Sequence, residues 1–150
     1  SGFKVQEVKS ALTALTKPKG FDQLEGLLFP AQYSFASTTS ADVALASMVS
    51  RAEKEMRNAG FYSSETGYTP AQLLVIASLI QAEGGEKDFT KVSQVVRNRL
   101  KKGMPLQFDS TVHYVMQSRG NIFLSTKSTM LSSSYNTYRK YSYWRNKYKG

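Results

Sequence analysis

Glu83 is the residue of this sequence best placed to move a proton. Leu73, Ile76, Ala77 and Ile80 recur at i, i+3, i+4 and i+7, Glu83 follows at i+10 on the same face, and Gly84-Gly85 ends the pattern. At the last turn of a helix, the negative end of the dipole and partial desolvation both disfavour a charged carboxyl. A carboxyl kept protonated near neutral pH can donate to a glycosidic oxygen, the task of the general acid in sugar cleavage. Spacing alone equally allows a plainer alternative, in which Glu83 frays into solvent beside Gly84.

Two-carboxylate hydrolysis of a sugar needs a partner acid, and Asp109, Glu86 and Glu25 are the candidates, none singled out by spacing. His113 lies three residues after Ser110, so a Ser-His pair is conceivable if that segment is helical, but no backbone-rich oxyanion motif accompanies it. Arg99 falls three residues beyond Val96, on the inward side of a helical pattern, where it can pair with Asp109 or Glu83 or fork onto a substrate carboxylate. Asn98 and Gln107 are neutral amides of the kind that hydrogen-bond sugar hydroxyl and acetamido groups, although asparagine near a helix end is also an ordinary capping choice.

Other chemistries are excluded by composition. Without cysteine there is no disulfide, thiolate nucleophile or cysteine zinc site, and with His113 as the single histidine there is no multi-histidine metal centre. No metal and no cofactor is expected. The net charge of +9 is unevenly placed: Asp109 is the last acid. Such a basic surface attracts polyanions, whether nucleic acid, anionic lipid or an acidic wall polymer. In the closing stretch, Tyr141, Tyr143, Trp144 and Tyr148 stand among five basic residues, a pattern that suits either stacking on bases or sugars or a half-buried final strand.

The elements that must position these residues can be read from caps and periodicity. Val5, Val8, Leu12 and Leu15 make a short amphipathic helix that stops at Lys17-Pro18-Lys19-Gly20. Leu24 to Phe35 is too apolar for a surface loop, yet Gly26 and Pro30 break its periodicity, which predicts a buried irregular segment with short extended pieces. Ser40 caps a helix striped by Leu45, Val49, Ala52, Met56 and Ala59 and closed by Gly60. Thr69-Pro70-Ala71-Gln72 is a capping box with proline at the first helical position, and it starts the Glu83 helix. Asp88 caps a third long helix lined by Val92, Val95, Val96 and Leu100. Met104 to Met116 opens as a proline-containing loop and ends in an alternation compatible with strand or helix. Gly120 and Asn121 suggest a turn, and Ser132 to Ser134 a loop. The longest apolar run, Leu73 to Ile80, is far below the roughly 18 residues of a membrane-spanning helix. With 150 residues, the default is one compact domain.

Four ordered segments carry a family resemblance over roughly Leu24 to Tyr138: LEGLLFPAQY, IASLIQAEGG, NRLKKGMPLQFDSTVHY and SYNTY. Together they resemble the endolytic murein transglycosylases, the YceG-like or MltG family. The resemblance implies a single mainly helical α+β catalytic domain, with the Glu83 helix at its centre, short strands, and a long glycan groove. Residues 1–23 would form a leading helix and linker, 24–138 the family core, and 139–150 a divergent basic aromatic tail. It implies internal cutting of nascent peptidoglycan strands between MurNAc and GlcNAc, leaving 1,6-anhydroMurNAc ends, with Glu83 as both acid and base. Glu25, Tyr33, Asn98, Arg99, Gln107, Asp109, Thr111, Tyr114 and Asn136 fall on other positions of the family segments, as cleft-forming or sugar-binding candidates. Partners would be glycan strands and cell-wall synthases rather than nucleic acid. The expected location is the outer face of the bacterial cytoplasmic membrane, through an upstream anchor outside these residues.

The sequence departs from the family at three points. Gln81 stands where many members carry a first glutamate, so Glu83 alone remains in that segment. Ala31 and Gln32 replace an aspartate and a threonine, and the proline- and glycine-rich stretch that usually follows SYNTY gives way to the aromatic tail. A non-catalytic wall-binding scaffold of the same fold is the rival expectation.

Overall fold

Capping chemistry decides where the helices begin in the computed structural model, which describes residues 2–118 and 124–139. The Thr69 amide donates to Gln72 Oε1 at 2.8 Å and the Gln72 amide to Thr69 Oγ1 at 3.2 Å, the reciprocal pair expected of a capping box. That box opens a helix at Pro70 which runs to Glu83. Ser40 likewise occupies the N-cap of the helix Ala41–Asn58, but its side chain makes no capping bond to the helix. It is directed to the Asp42 carboxylate, and this bond, followed by backbone hydrogen bonds, holds the Asp42 pKa below its ordinary value.

The chain divides into two compact units, Ser1–Leu74 and Val75–Gly150. In the first, α1 (Val5–Ala14) packs on α2 (Ala41–Asn58). Its core is Leu27, Val49, Ala52 and Met56, ringed by partly buried Leu15, Phe21, Leu24, Phe29, Tyr62 and Leu74, among others. Val8, Leu12 and Leu15 of the expected stripe are partly buried, whereas Val5 is exposed and the small Ala11 is the buried residue of α1. The segment 24–35 is irregular as expected, but only Leu27 in it is buried, inside a turn closed by the Leu27 amide on Leu24 O at 3.0 Å. Full burial of that one leucine is worth about 2 kcal/mol.

Helix α3 (Pro70–Glu83) is apolar on several sides rather than one. Ile76 and Leu79 are its buried residues, whereas Ala77 of the expected stripe is exposed. Glu83 lies seven residues after Ile76 and four after Leu79, so it still shares the buried face, where it is half-buried.

In the second unit, a 3-10 turn (Glu86–Asp88) leads into α4 (Phe89–Lys101). Asp88 stands at the N-cap without a capping bond and instead meets Lys91 Nζ at 3.5 Å. Val96 is fully buried with Val92 and Leu100 beside it, while Val95 points outward at 41% exposure, so the inward face is narrower than its valines suggest. Two short helices follow, α5 (Asp109–Val115) and α6 (Thr126–Thr129).

No strand forms among the described residues, so the short strands of the expected α+β class are not found there. The stretch before α5 shows why. Apart from the Gln107 amide, which donates to Thr137 O, its backbone groups are taken by side chains and do not build a ladder: Leu106 O accepts from Arg99, the Phe108 amide donates to Thr137 Oγ1, and Phe108 O accepts from Thr111 Oγ1. The expectations for Gly120, Asn121, Tyr141, Tyr143, Trp144 and Tyr148 lie outside the described residues. No helix of the described residues is long and apolar enough to cross a membrane.

Candidate active site at the end of the third helix

Glu83 is the last residue of α3, and its Oε1 accepts a hydrogen bond from the Ser110 amide at 3.2 Å. Among the described residues no ion pair and no second hydrogen bond reaches this carboxyl. Gln81, two residues earlier, is exposed, because two helical steps turn the side chain about 200° away. Only one of the two neighbouring positions therefore sits where a carboxyl can be both held and partly desolvated.

The amide that holds Glu83 is placed by a buried hydroxyl cluster. Thr111 Oγ1 and Thr137 Oγ1 lie 2.9 Å apart, Thr111 Oγ1 donates to Phe108 O at 2.7 Å, and the Thr137 amide donates to Thr111 Oγ1 at 3.2 Å. Both threonines are buried. Asn136 is fully buried beside them and spends its amide group on Thr129 O at 3.0 Å and Leu131 O at 2.9 Å, while its Oδ1 accepts from the Tyr138 amide at 3.0 Å. Residues 136–138 thus fasten the start of α5 and deliver one more side chain: the Tyr138 hydroxyl donates to Asp109 Oδ1.

Electrostatics ties these groups together. The hydrogen bond to Asp109 is the largest cause of a Tyr138 pKa pushed up from 10.0 to about 12, followed by desolvation and by the negative charges of Asp109 and Glu83, with Arg99 acting the other way. Tyr138 therefore senses both carboxylates and the guanidinium at once.

The sequence-expected residues divide clearly. Glu83, Arg99, Asp109, Thr111 and Asn136 are drawn into one connected neighbourhood of the second unit. Arg99 is joined to neither Asp109 nor Glu83 by an ion pair among the described residues; its guanidinium holds Leu106 O and lies 5.7 Å from the Phe108 ring centre. Gln107, next in the chain, adopts a positive φ of 53°, its amide donates to Thr137 O at 3.1 Å, and its side chain is exposed. Asn98 is also exposed, accepting from Gln94 at 2.8 Å. Tyr114 is 52% exposed and leans on Tyr135 with ring centres 5.5 Å apart. His113 Nδ1 lies 3.3 Å from Ser118 Oγ and not against Ser110, whose buried Oγ has no partner among the described residues. The Ser-His pair is not formed.

Two candidates belong to the first unit. Glu25 is exposed in the turn before Leu27, and Tyr33 donates to Phe29 O at 3.0 Å while stacking on Phe35 at 5.8 Å. A cavity of about 440 Å³ in that unit lies between α1 and α2, lined by residues such as Leu15, Lys17, Ala46, Val49 and Glu53, and none of the expected site residues borders it. Reading residue types missed Ser110 as an amide donor and Tyr138 as the partner of Asp109. The only signal for Tyr138 was its place two residues after Asn136 in the SYNTY segment.

A family model described as YceG-like matches residues 1–142. The chain belongs to that family. Among curated relatives, this YceG-like chain is 37% identical over 118 residues to the endolytic murein transglycosylase of Bacillus subtilis (strain 168), a match covering 77% of this chain and 32% of the relative. It is 34% identical over 124 residues to the endolytic murein transglycosylase of Streptococcus pneumoniae serotype 2 (strain D39 / NCTC 7466), covering 78% of this chain and 22% of that one. The YceG-like chain therefore spans about a third or less of the length of these relatives. A crystal structure of a YceG-like protein from Listeria monocytogenes superposes with a TM-score of 0.69 at 28% identity, covering 91% of this chain and 47% of that one.

Proposed function

We propose that this chain carries the cutting site of an endolytic murein transglycosylase, with Glu83 as the single general acid and base. The observation that carries the proposal is the state of Glu83: half-buried at the end of α3, with one oxygen fixed by the Ser110 amide and the other without a partner among the described residues. The names of the curated relatives supply the substrate class, peptidoglycan.

The reaction needs one carboxyl used twice. Protonated Glu83 gives its proton to the glycosidic oxygen as the bond from the anomeric carbon of MurNAc to that oxygen breaks, and the bonding pair leaves with the oxygen. The carboxylate then takes the proton of the sugar's own C6 hydroxyl while that oxygen closes on the anomeric carbon. The products are a free GlcNAc hydroxyl and a 1,6-anhydro ring, no water is consumed, and Glu83 ends as it began. A partner base to activate water is unnecessary, which suits a site where Asp109 is tied to a tyrosine. The work would be done on the wall side of the cytoplasmic membrane.

The test is to incubate the protein with uncrosslinked glycan strands and weigh the products. Ends lighter by one water than ordinary reducing ends support the proposal. Ordinary reducing ends would replace it with hydrolysis, and binding without cutting would leave the wall-binding scaffold.

A further inference from the structure

We infer that Asp109 is a second working carboxylate of the Glu83 site: Tyr138 holds it in place, and its charge stabilises the cation that develops at the anomeric carbon. This rests on the transglycosylase reading above. It assigns to Asp109 a role in the transition state rather than in holding the sugar, and to Tyr138 a positioning role.

Three features of the geometry point to it. First, Asp109 and Ser110 are consecutive at the start of α5, so the residue whose amide grips Glu83 is the neighbour of the one whose carboxylate is gripped by Tyr138. The two carboxyls are anchored to one short piece of backbone. Second, Tyr138 is itself over-determined: its amide is held by the fully buried Asn136, and Thr137 before it is locked to Thr111 and Phe108 of the α5 entry. A side chain whose backbone is anchored in this way keeps its partner within the narrow limits that catalysis requires.

Third, the partner is a neutral hydroxyl rather than a cation. A lysine or arginine in the place of Tyr138 would fix Asp109 equally well but cancel its charge. Among the described residues Asp109 has no ion pair, and the nearby Arg99 is committed to Leu106 O. A tyrosine whose pKa is pushed up to about 12 keeps its proton throughout the working range, so it donates to the carboxylate and leaves the negative charge whole. Asp109 is also exposed, so a ligand can reach it.

The chemistry needs such a charge. As Glu83 gives up its proton and the glycosidic pair leaves, positive charge spreads over the anomeric carbon and ring oxygen until the C6 oxygen closes. Asp109 forms no bond and moves no proton in this step; it acts as a fixed anion facing a transient cation.

The experiment measures kcat and KM for cleavage of uncrosslinked glycan strands by the wild type, Asp109→Asn, Tyr138→Phe and the double variant, with thermal melts to verify folding. Asparagine keeps an oxygen for the Tyr138 hydroxyl while removing the charge. The expected result is a fall in kcat of roughly 100-fold for Asp109→Asn and about 10-fold for Tyr138→Phe, with little change in KM. The double variant should be no worse than Asp109→Asn alone, because Tyr138 acts through Asp109. A rise in KM with kcat preserved would make Asp109 a sugar-holding residue and overturn the inference, and losses that multiply in the double variant would overturn the role of Tyr138. Glu83→Gln separates the two readings. If it abolishes cleavage while Asp109→Asn cuts normally, the transglycosylase reading stands and this inference falls; a wild type that leaves the strands intact overturns both.

Discussion

The Ser110 amide and the Glu83 carboxyl meet at 3.2 Å across 27 residues of chain, and the proposed role of Glu83 rests on this contact. Substituting Glu83→Gln keeps an oxygen in the place of Oε1 and so keeps the contact. Glycan cleavage should fall by about 10²- to 10⁴-fold, the usual worth of a positioned general acid, while stability changes by less than about 0.5 kcal/mol. Product mass and a urea melt on the same preparation check both halves.

Tyr138 should leave a mark on stability at high pH. Its pKa in the folded chain, about 12, lies above the ordinary 10.0, so between these values the folded chain keeps a proton that the unfolded chain has lost. The stability it contributes is present below about pH 10 and drains away as pH rises through about 12. The melting-temperature advantage of wild type over Tyr138→Phe should therefore shrink across that window; a gap that stays constant or widens would contradict the assignment.

Thr137→Val replaces a hydroxyl with a methyl of similar shape. It leaves the Phe108 amide without its partner in a buried place, at a cost of about 1–3 kcal/mol. Denaturant unfolding measures the loss, and α5 should lose hydrogen-exchange protection with it.

Gly26 has a φ of +78°, and a Cβ there would meet Leu74 Cδ2 at 2.9 Å. Gly60 shares the φ of +78° but has open space around it. Gly60→Ala should cost about 1 kcal/mol from backbone strain alone. Gly26→Ala should cost more, about 2–3 kcal/mol, since Leu74 must also move. Equal losses would mean that Leu74 yields freely.

The Tyr62 hydroxyl is buried without a partner among the described residues, and burial, then the charge of Glu53, raises its pKa. Tyr62→Phe removes the unpaired group and keeps the ring under Arg57, whose guanidinium lies 4.5 Å from the ring centre. Stability should hold or rise by about 1 kcal/mol in a thermal melt, the reverse of the usual cost of trimming a buried tyrosine.

Local chemistry made α2 and α3 readable in advance. Thr69, Pro70 and Gln72 mark a helix start by interactions among themselves, and Gly60 marks an end. The stretch after Met104 was ambiguous because its alternation satisfies either period, and what decides it is Thr137, far away in sequence, capturing the Phe108 amide. Helix α6 is a single turn capped by Ser125 in a serine-rich stretch, too short to show a period. For the candidate site, the position of Glu83 at the end of α3 was legible because its helix supplied both the spacing and the stop. Its neighbours were not: Ser110 contributes a backbone amide, which any residue type except proline provides, and the Tyr138 contact spans 29 residues.

The clasp formed by residues 136–138 on the start of α5 also sets an order of assembly. A chain made from its N terminus exposes Glu83 and its helix well before Asn136, Thr137 and Tyr138 exist. Until those three arrive, the hydrogen bonds of Thr137 to the Phe108 amide and of Tyr138 to the Asp109 carboxylate cannot form. On the proposed reading of Glu83, the nascent polypeptide would carry its acid early and its ability to cut only once residues 136–138 have emerged.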